Sequence, residues 1–154
     1  MKYIHYGADK FDRNKFLRIV NQDHDWTKPK QGGIWASSID AKFGWKQWCE
    51  SEDFYTERLQ KSFQFCLLSN AKVCHIRNYK DLYKLPELSN KILDIPIKSI
   101  YYRIDFEKAS KVYDAIELHL SEDIYTDYQN SLYFKLYAWD CDSILIMNPD
   151  IIIC

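Results

Sequence analysis

Two aspartates near the C-terminus have the spacing and the neighbours of a chemical site. Asp140 and Asp142 stand two residues apart, between Trp139 and the apolar run 143–147. Residues two apart on an extended segment point to the same side, so the two carboxylates could act together. Such a pair can hold a divalent cation, or it can share one substrate, with one acid on a ribose hydroxyl and the other near a nucleophile. In a purely structural role, the same acids end a helix and open a strand.

Two segments nearer the N-terminus offer groups that suit a sugar-containing ligand. His5 and Tyr6 close the first predicted strand, where an imidazole can bond a ribose hydroxyl and backbone amides can meet a planar carboxamide. Gly33 allows close backbone approach just before the strand that carries Trp35 and Ser37 on one face. A satisfied core histidine, a packed tryptophan and an ordinary strand serine would show the same pattern.

Other familiar motifs are absent from the sequence. It contains no Walker loop, GxGxxG, GxSxG or HExxH, and no Cys/His metal spacing. None of the histidines lies three or four residues from another, which predicts no metal site. Lys and Arg outnumber Asp by nine to five up to Lys46, within a net charge of −1, which suits an anionic ligand there or a solvated face. No basic run is dense enough to indicate nucleic-acid binding.

Composition indicates one globular domain spanning residues 1–154. Aromatic residues make up 16% of the chain, which suits a core whose edges are exposed to water, or a pocket in which flat ligands stack. Five cysteines without a CxxC, and no signal-peptide run, predict free thiols in the cytoplasm. No apolar run is long enough to span a membrane.

The elements that must position these residues predict an α+β fold, with twisted, mainly antiparallel sheets and short helices. The first strand should lie centrally, beside the strand from Ile34 or the one from Ser143, and Trp45 and Trp48 should mark the buried side of their helix. A short turn predicts a hairpin between strands 62–68 and 72–76. The remaining predicted strands are 1–6, 34–38, 99–104, 115–120 and 143–147, and the predicted helices are 11–20, 44–53, 79–85, 106–113 and 124–138.

The order of these pieces resembles the ADP-ribosyltransferase fold. A first-strand His-Tyr is followed by a glycine-led strand ending in Ser, and then by an acid before a late strand that closes with the run Asn-Pro-Asp at 148–150. The closest likeness is to small bacterial and phage-borne members, some of which act against host defences. The resemblance implies an enzyme that uses NAD as a substrate and modifies a macromolecular acceptor, most simply a protein.

The resemblance also implies roles for individual residues. His5 would contact an NAD ribose, and Ser37 would occupy the polar position of the second strand. Trp35 or Tyr6 would pack on nicotinamide. Asp142 would be the late-strand catalytic acid, and Asp140 the outer acid of the pair.

Two other classes of function remain open. A non-catalytic interaction domain would use the aromatic surplus as a partner surface. A metal-dependent nucleotidyl or glycosyl transferase would place Asp140 and Asp142 on Mg²⁺. If Asp142 is not the acid, Glu117 on the preceding strand is the next candidate.

Overall fold

A computed structural model describes residues 1–88 and 101–153 of the chain. Within these residues, seven strands form one sheet, and the helices are short. The strands are β1 (Lys2–Tyr6), β2 (Ile34–Ser38), β3 (Ser62–Leu67), β4 (Val73–Ile76), β5 (Ala115–Leu118), β6 (Ser143–Ile146) and β7 (Ile152–Ile153). The helices are α1 (Trp45–Glu52), α2 (Tyr79–Leu82), α3 (Phe106–Ala109) and α4 (Leu132–Lys135).

The sheet order is β4-β5-β6-β2-β1-β3-β7. Among the strands of residues 1–88 and 101–153, β4 and β5 run parallel and the other neighbouring strands are antiparallel. The predicted α+β class with a mainly antiparallel sheet is therefore confirmed. The first strand lies inside the sheet, between β2 and β3, as predicted.

The predicted hairpin between strands 62–68 and 72–76 is wrong. β3 pairs with β1 over five residues, and the rings of Tyr3 and Phe65 stack with centroids 5.8 Å apart. β4 lies at the far edge of the sheet, where it pairs with β5. The short turn between β3 and β4 therefore did not decide the pairing, because each strand buries its apolar side chains against a distant partner.

The predicted helix 44–53 is confirmed as α1, whereas helix 124–138 is reduced to α4. The carboxylates of Asp123 and Asp127 accept hydrogen bonds from the backbone amides of Leu132 and Asn130. These local bonds compete with a continuous helix. Segment 11–20 holds only the 3₁₀ turn Arg13–Lys15. Of the predicted strand 99–104, residues 99 and 100 lie outside the described part, and Ile104 forms only an isolated bridge with Glu87.

The two faces of the sheet bury different groups, because side chains alternate along each strand. Ile116 and Leu145 face a core that Trp139 and the short helices cover. Ile144 faces the opposite way, into a second core with Tyr3. Cys49, Cys66, Cys74 and Cys141 are free thiols, as predicted, and Cys154 lies outside the described residues. No helix among the described residues is long and apolar enough to span a membrane.

Candidate functional site

A cavity of about 210 Å³ opens on the sheet face that carries Trp35. Aromatic rings from β1, β2, α1 and the following turn form its walls, and two basic side chains line it as well. We call it the aromatic pocket, defined by Tyr6, Lys28, Trp35, Trp45, Tyr55 and Arg58. Rings and cations together suit a planar ligand that carries negative charge.

The cations of the aromatic pocket lie against its rings. The Lys28 ammonium stands 5.8 Å from the centre of the Trp35 ring, and the Arg58 guanidinium stands 4.6 Å from that of Tyr55. Burial lowers the pKa of Lys28, an effect that the nearby carboxylate of Asp140 opposes. Trp35 is itself held by an edge-to-face contact with Trp139 at 4.8 Å. The pocket therefore has a rigid aromatic wall with a partly desolvated cation beside it.

Trp45 and Trp48 lie on the less exposed side of α1, as predicted, but neither is a buried core residue. Both are only half-buried, and Cys49 is the buried residue of α1. Their rings stack on each other with centroids 5.1 Å apart, and Phe54 packs edge-on against both. Trp45 thereby reaches the aromatic pocket. The spacing of three predicted a shared side correctly, but Trp45 on that side lines a pocket rather than only the core.

His5 and Tyr6 line the aromatic pocket at the end of β1. The Nδ1 atom of His5 lies 2.7 Å from the carbonyl oxygen of Trp35, and its ring packs on Phe63 at 5.0 Å. Burial raises the pKa of Tyr6, with a further contribution from Glu50. Because His5 pairs across the strands with Phe63, its ring lies on the face of the sheet opposite Tyr6 and Trp35. The structure thus brings the predicted ligand-binding side chains of Tyr6 and Trp35 into one pocket and turns the His5 side chain away from them.

Ser37 and Gly33 support the aromatic pocket without lining it. The buried Ser37 hydroxyl accepts a hydrogen bond from the first amide of α1, that of Trp45, at 2.9 Å. It donates to the carbonyl oxygen of Asp142 at 2.8 Å. Gly33 has a φ of +73°, and a Cβ there would lie 2.6 Å from the Leu145 side chain. Both residues fix the distances between β2, α1 and β6.

The two C-terminal aspartates have different partners. The Asp142 carboxylate accepts bonds from the Ser121 amide at 2.8 Å and from the Ser121 hydroxyl at 2.6 Å. Asp140 has a left-handed φ of +54°, so the segment is not extended and the rule that places residues two apart on one side does not apply to it. Burial raises the pKa of Asp140, and Lys28 opposes that shift. Between them, Cys141 lines the pocket, and burial raises the pKa of its thiol to about 12.

A second polar group, His75, Glu117 and His119, lies on the opposite face of the sheet. Burial raises the pKa of the Glu117 carboxyl and lowers the pKa of each imidazole. Spacing along the chain hides this group, because the two histidines are 44 residues apart. The available sequence signal was that Glu117 and His119 stand two residues apart at the end of a predicted strand, so that their side chains share one face.

No family model, curated protein or solved structure matches this chain. The resemblance to ADP-ribosyltransferases therefore stays a prediction.

Proposed function

We propose that this protein binds NAD in the aromatic pocket and transfers its ADP-ribose unit to a protein acceptor. The observation that supports the proposal is the convergence of Tyr6 and Trp35 on one cavity with Lys28 and Arg58. Flat rings suit the bases of a dinucleotide, and the two cations suit its pyrophosphate.

The size of the cavity limits which part of NAD it holds. A volume of about 210 Å³ is below the roughly 300–1,000 Å³ of pockets that enclose a whole drug-sized ligand. It suits one ring and its attached ribose, with the rest of the dinucleotide along the open rim. Trp35 and Trp45 are the rings available for nicotinamide. Excluding water around this end would favour transfer over hydrolysis.

The reaction needs negative charge beside the reacting ribose. The bond from ribose C1 to nicotinamide breaks, nicotinamide leaves with the electron pair, and an acceptor nucleophile attacks C1 and loses its proton. A carboxylate stabilises the positive charge that develops on the sugar. Neither predicted acid is among the residues that line the aromatic pocket, but Asp140 is favoured over Asp142, because it interacts with Lys28 of the pocket. The oxygens of Asp142 are both engaged by Ser121.

Labelled NAD, incubated with the protein and a cell lysate, tests the proposal. We expect labelled acceptor protein with the wild type, at least tenfold less with Asp140→Asn, and a folded but less stable protein with Asp142→Asn. If Asp140→Asn labels as well as the wild type while folded Asp142→Asn does not, Asp142 is the acid, as the sequence predicts. Glu117 lies on the face of the sheet opposite Trp35 of the aromatic pocket, beside Tyr3, so Glu117→Gln should label normally.

Binding is measured separately from transfer, through the quenching of tryptophan fluorescence by NAD. Arg58→Ala should weaken NAD binding at least tenfold, because it removes a cation from the pocket wall. Trp26→Ala is the matched control, since Trp26 is 53% exposed and lies outside the pocket. Equal NAD affinity in the wild type and Arg58→Ala would contradict the pocket assignment. Absence of both binding and transfer would leave the non-catalytic interaction domain.

A nucleotide-sugar transferase with Mg²⁺ on both aspartates is disfavoured by one observation. Asp142 accepts a hydrogen bond from Ser121 and Asp140 interacts with Lys28, so the two carboxylates have different partners rather than one shared ion. Thermal denaturation distinguishes the classes, because a ligand that binds only the folded state raises the melting temperature. NAD alone should raise it, whereas Mg²⁺ with a nucleotide sugar should not.

A further inference from the structure

The parallel pair β4–β5 brings three potential metal ligands together. His75 and Glu117 are direct partners in the register of the two strands. His119 follows β5 two residues after Glu117, so its side chain returns to the same face. Their positions are set by strand pairing at the ends of two neighbouring strands, rather than by a flexible loop.

The three side chains point their ligand atoms at one small space. His75 Nδ1 lies 3.0 Å from His119 Nε2 and 3.2 Å from Glu117 Oε2. His119 Nε2 lies 3.8 Å from the same oxygen. Zinc bonds of about 2.0–2.2 Å in tetrahedral geometry place neighbouring ligand atoms roughly 3.3–3.6 Å apart. We propose that His75, Glu117 and His119 form a binding site for a divalent transition-metal ion, with Zn²⁺ as the preferred occupant.

The neighbouring residues hold two of the ligands in place. Tyr3 donates a hydrogen bond from its hydroxyl to Glu117 Oε2 at 3.1 Å. His119 Nδ1 lies 3.5 Å from a carboxylate oxygen of Glu122, which leaves Nε2 for the ion. Glu122 is in turn paired with Arg77 at 3.1 Å. A carboxylate on the outer nitrogen of a metal-binding histidine is a common arrangement in metal sites, because it fixes the ring and its tautomer.

The burial of the three ligands favours the binding of a cation and leaves one coordination position of that cation open to water. The Glu117 side chain is 4% exposed, and a buried carboxylate needs a compensating positive charge or a proton. The His75 side chain is 39% exposed and forms the solvent side of the group. Two histidines and one glutamate with a fourth position open to water form the ligand set of several catalytic zinc sites. In such sites the metal-bound water becomes acidic enough to act as a nucleophile near neutral pH.

This metal site is independent of the NAD proposal. Glu117 and the buried Ile116, which packs towards Trp139, point to opposite faces of β5. None of the three ligands lines the aromatic pocket. Either proposal can therefore fail without affecting the other.

Zinc content after incubation with Zn²⁺ and dialysis tests the proposal. We expect about one zinc per wild-type chain, and a higher melting temperature with Zn²⁺ than with a chelator. His75→Ala is the most informative variant, because His75 is half-exposed and its removal should leave the fold intact. We expect it to lose the bound zinc. Glu122→Gln removes only an outer contact and should weaken zinc affinity by roughly 10–100-fold.

His24→Ala is the matched control, since it removes an exposed histidine elsewhere in the chain and should retain one zinc. Replacing Zn²⁺ by Co²⁺ gives an absorption spectrum that reports the ligand set, and His119→Ala should abolish that spectrum. Loss of zinc in His24→Ala with retention in His75→Ala would overturn the proposal. So would a wild-type protein that holds no zinc after dialysis, or bound zinc that disappears only in Cys66→Ser.

Discussion

Single residues in this protein support the candidate site through their backbone as much as through their side chains. The carbonyl oxygen of Asp142 accepts a bond from Ser37, while its carboxylate binds Ser121. Ser37 connects β2, the start of α1 and the entrance to β6 through one hydroxyl. Residues that sequence reasoning assigned to ligand contact can thus be required for the shape of the pocket instead.

Ser37→Ala should lower the free energy of unfolding by about 1–3 kcal/mol, because it leaves the Trp45 amide and the Asp142 carbonyl without their buried partner. Urea denaturation followed by circular dichroism measures this change. Ser38→Ala is the control, since the bond that the Ser38 hydroxyl accepts within the described part of the chain, 3.2 Å from the Asp40 amide, lies in an exposed turn. Equal losses of unfolding free energy in the two variants would show that the buried hydrogen bonds of Ser37 stabilise the protein no more than the exposed bond of Ser38.

Among the secondary-structure elements, β2 and β6 approach each other closely where β2 begins. Gly33 lies directly against β6, and a Cβ at this position would meet both the Leu145 side chain and the Ile146 carbonyl oxygen, the latter at 2.8 Å. The neighbouring Gly32 is equally crowded, with a Cβ position 2.2 Å from the Arg18 carbonyl oxygen. Gly33 therefore allows the start of β2, the strand of Trp35, to lie close to β6, and Gly32 allows the preceding turn to lie close to the backbone of Arg18.

Gly33→Ala should cost at least about 2 kcal/mol of stability, since it adds both left-handed backbone strain and a steric clash. Gly7→Ala separates the two effects, because Gly7 has a φ of +107° and nothing within 4 Å of its Cβ position. The urea midpoints of both variants give the comparison. A Gly7→Ala loss as large as that of Gly33→Ala would mean that backbone strain alone explains the cost.

For the molecule as a whole, the sequence predicts local elements better than long-range pairing. A β-rich run and glycine signals predict β1 and β2 correctly, and the spacing of Trp45 and Trp48 predicts α1. The partners of β3 and β4 depend on side chains far away in the chain, so the turn between them was misleading. The pocket residues Tyr6 and Trp35 could be predicted from strand ends, whereas the side to which the His5 ring turns depends on its pairing with Phe63 in a distant strand. The left-handed turn at Asp140 could not, because nothing in its residue type requires that conformation.

Hydrogen exchange should reveal the same organisation in the folded protein. The amides of β5 and β6 should exchange most slowly, because every residue of both strands is buried and both have a neighbouring strand on each side. The amides of β7 should exchange much faster, since β7 is a two-residue strand at the edge. Mass spectrometry of exchanged peptides measures both. Protection of β7 equal to that of β6 would contradict this order.

The short strands at the two ends of the sheet affect how the protein behaves at high concentration. Within the described residues, one edge is β4, with four residues, and the other is β7, with two. An edge strand presents unpaired amides and carbonyls to which another chain can add, and aggregation grows more readily from long, flat edges. The long strands β1 and β3 are both paired on either side. The aromatic-rich sheet thus presents little template for association between copies.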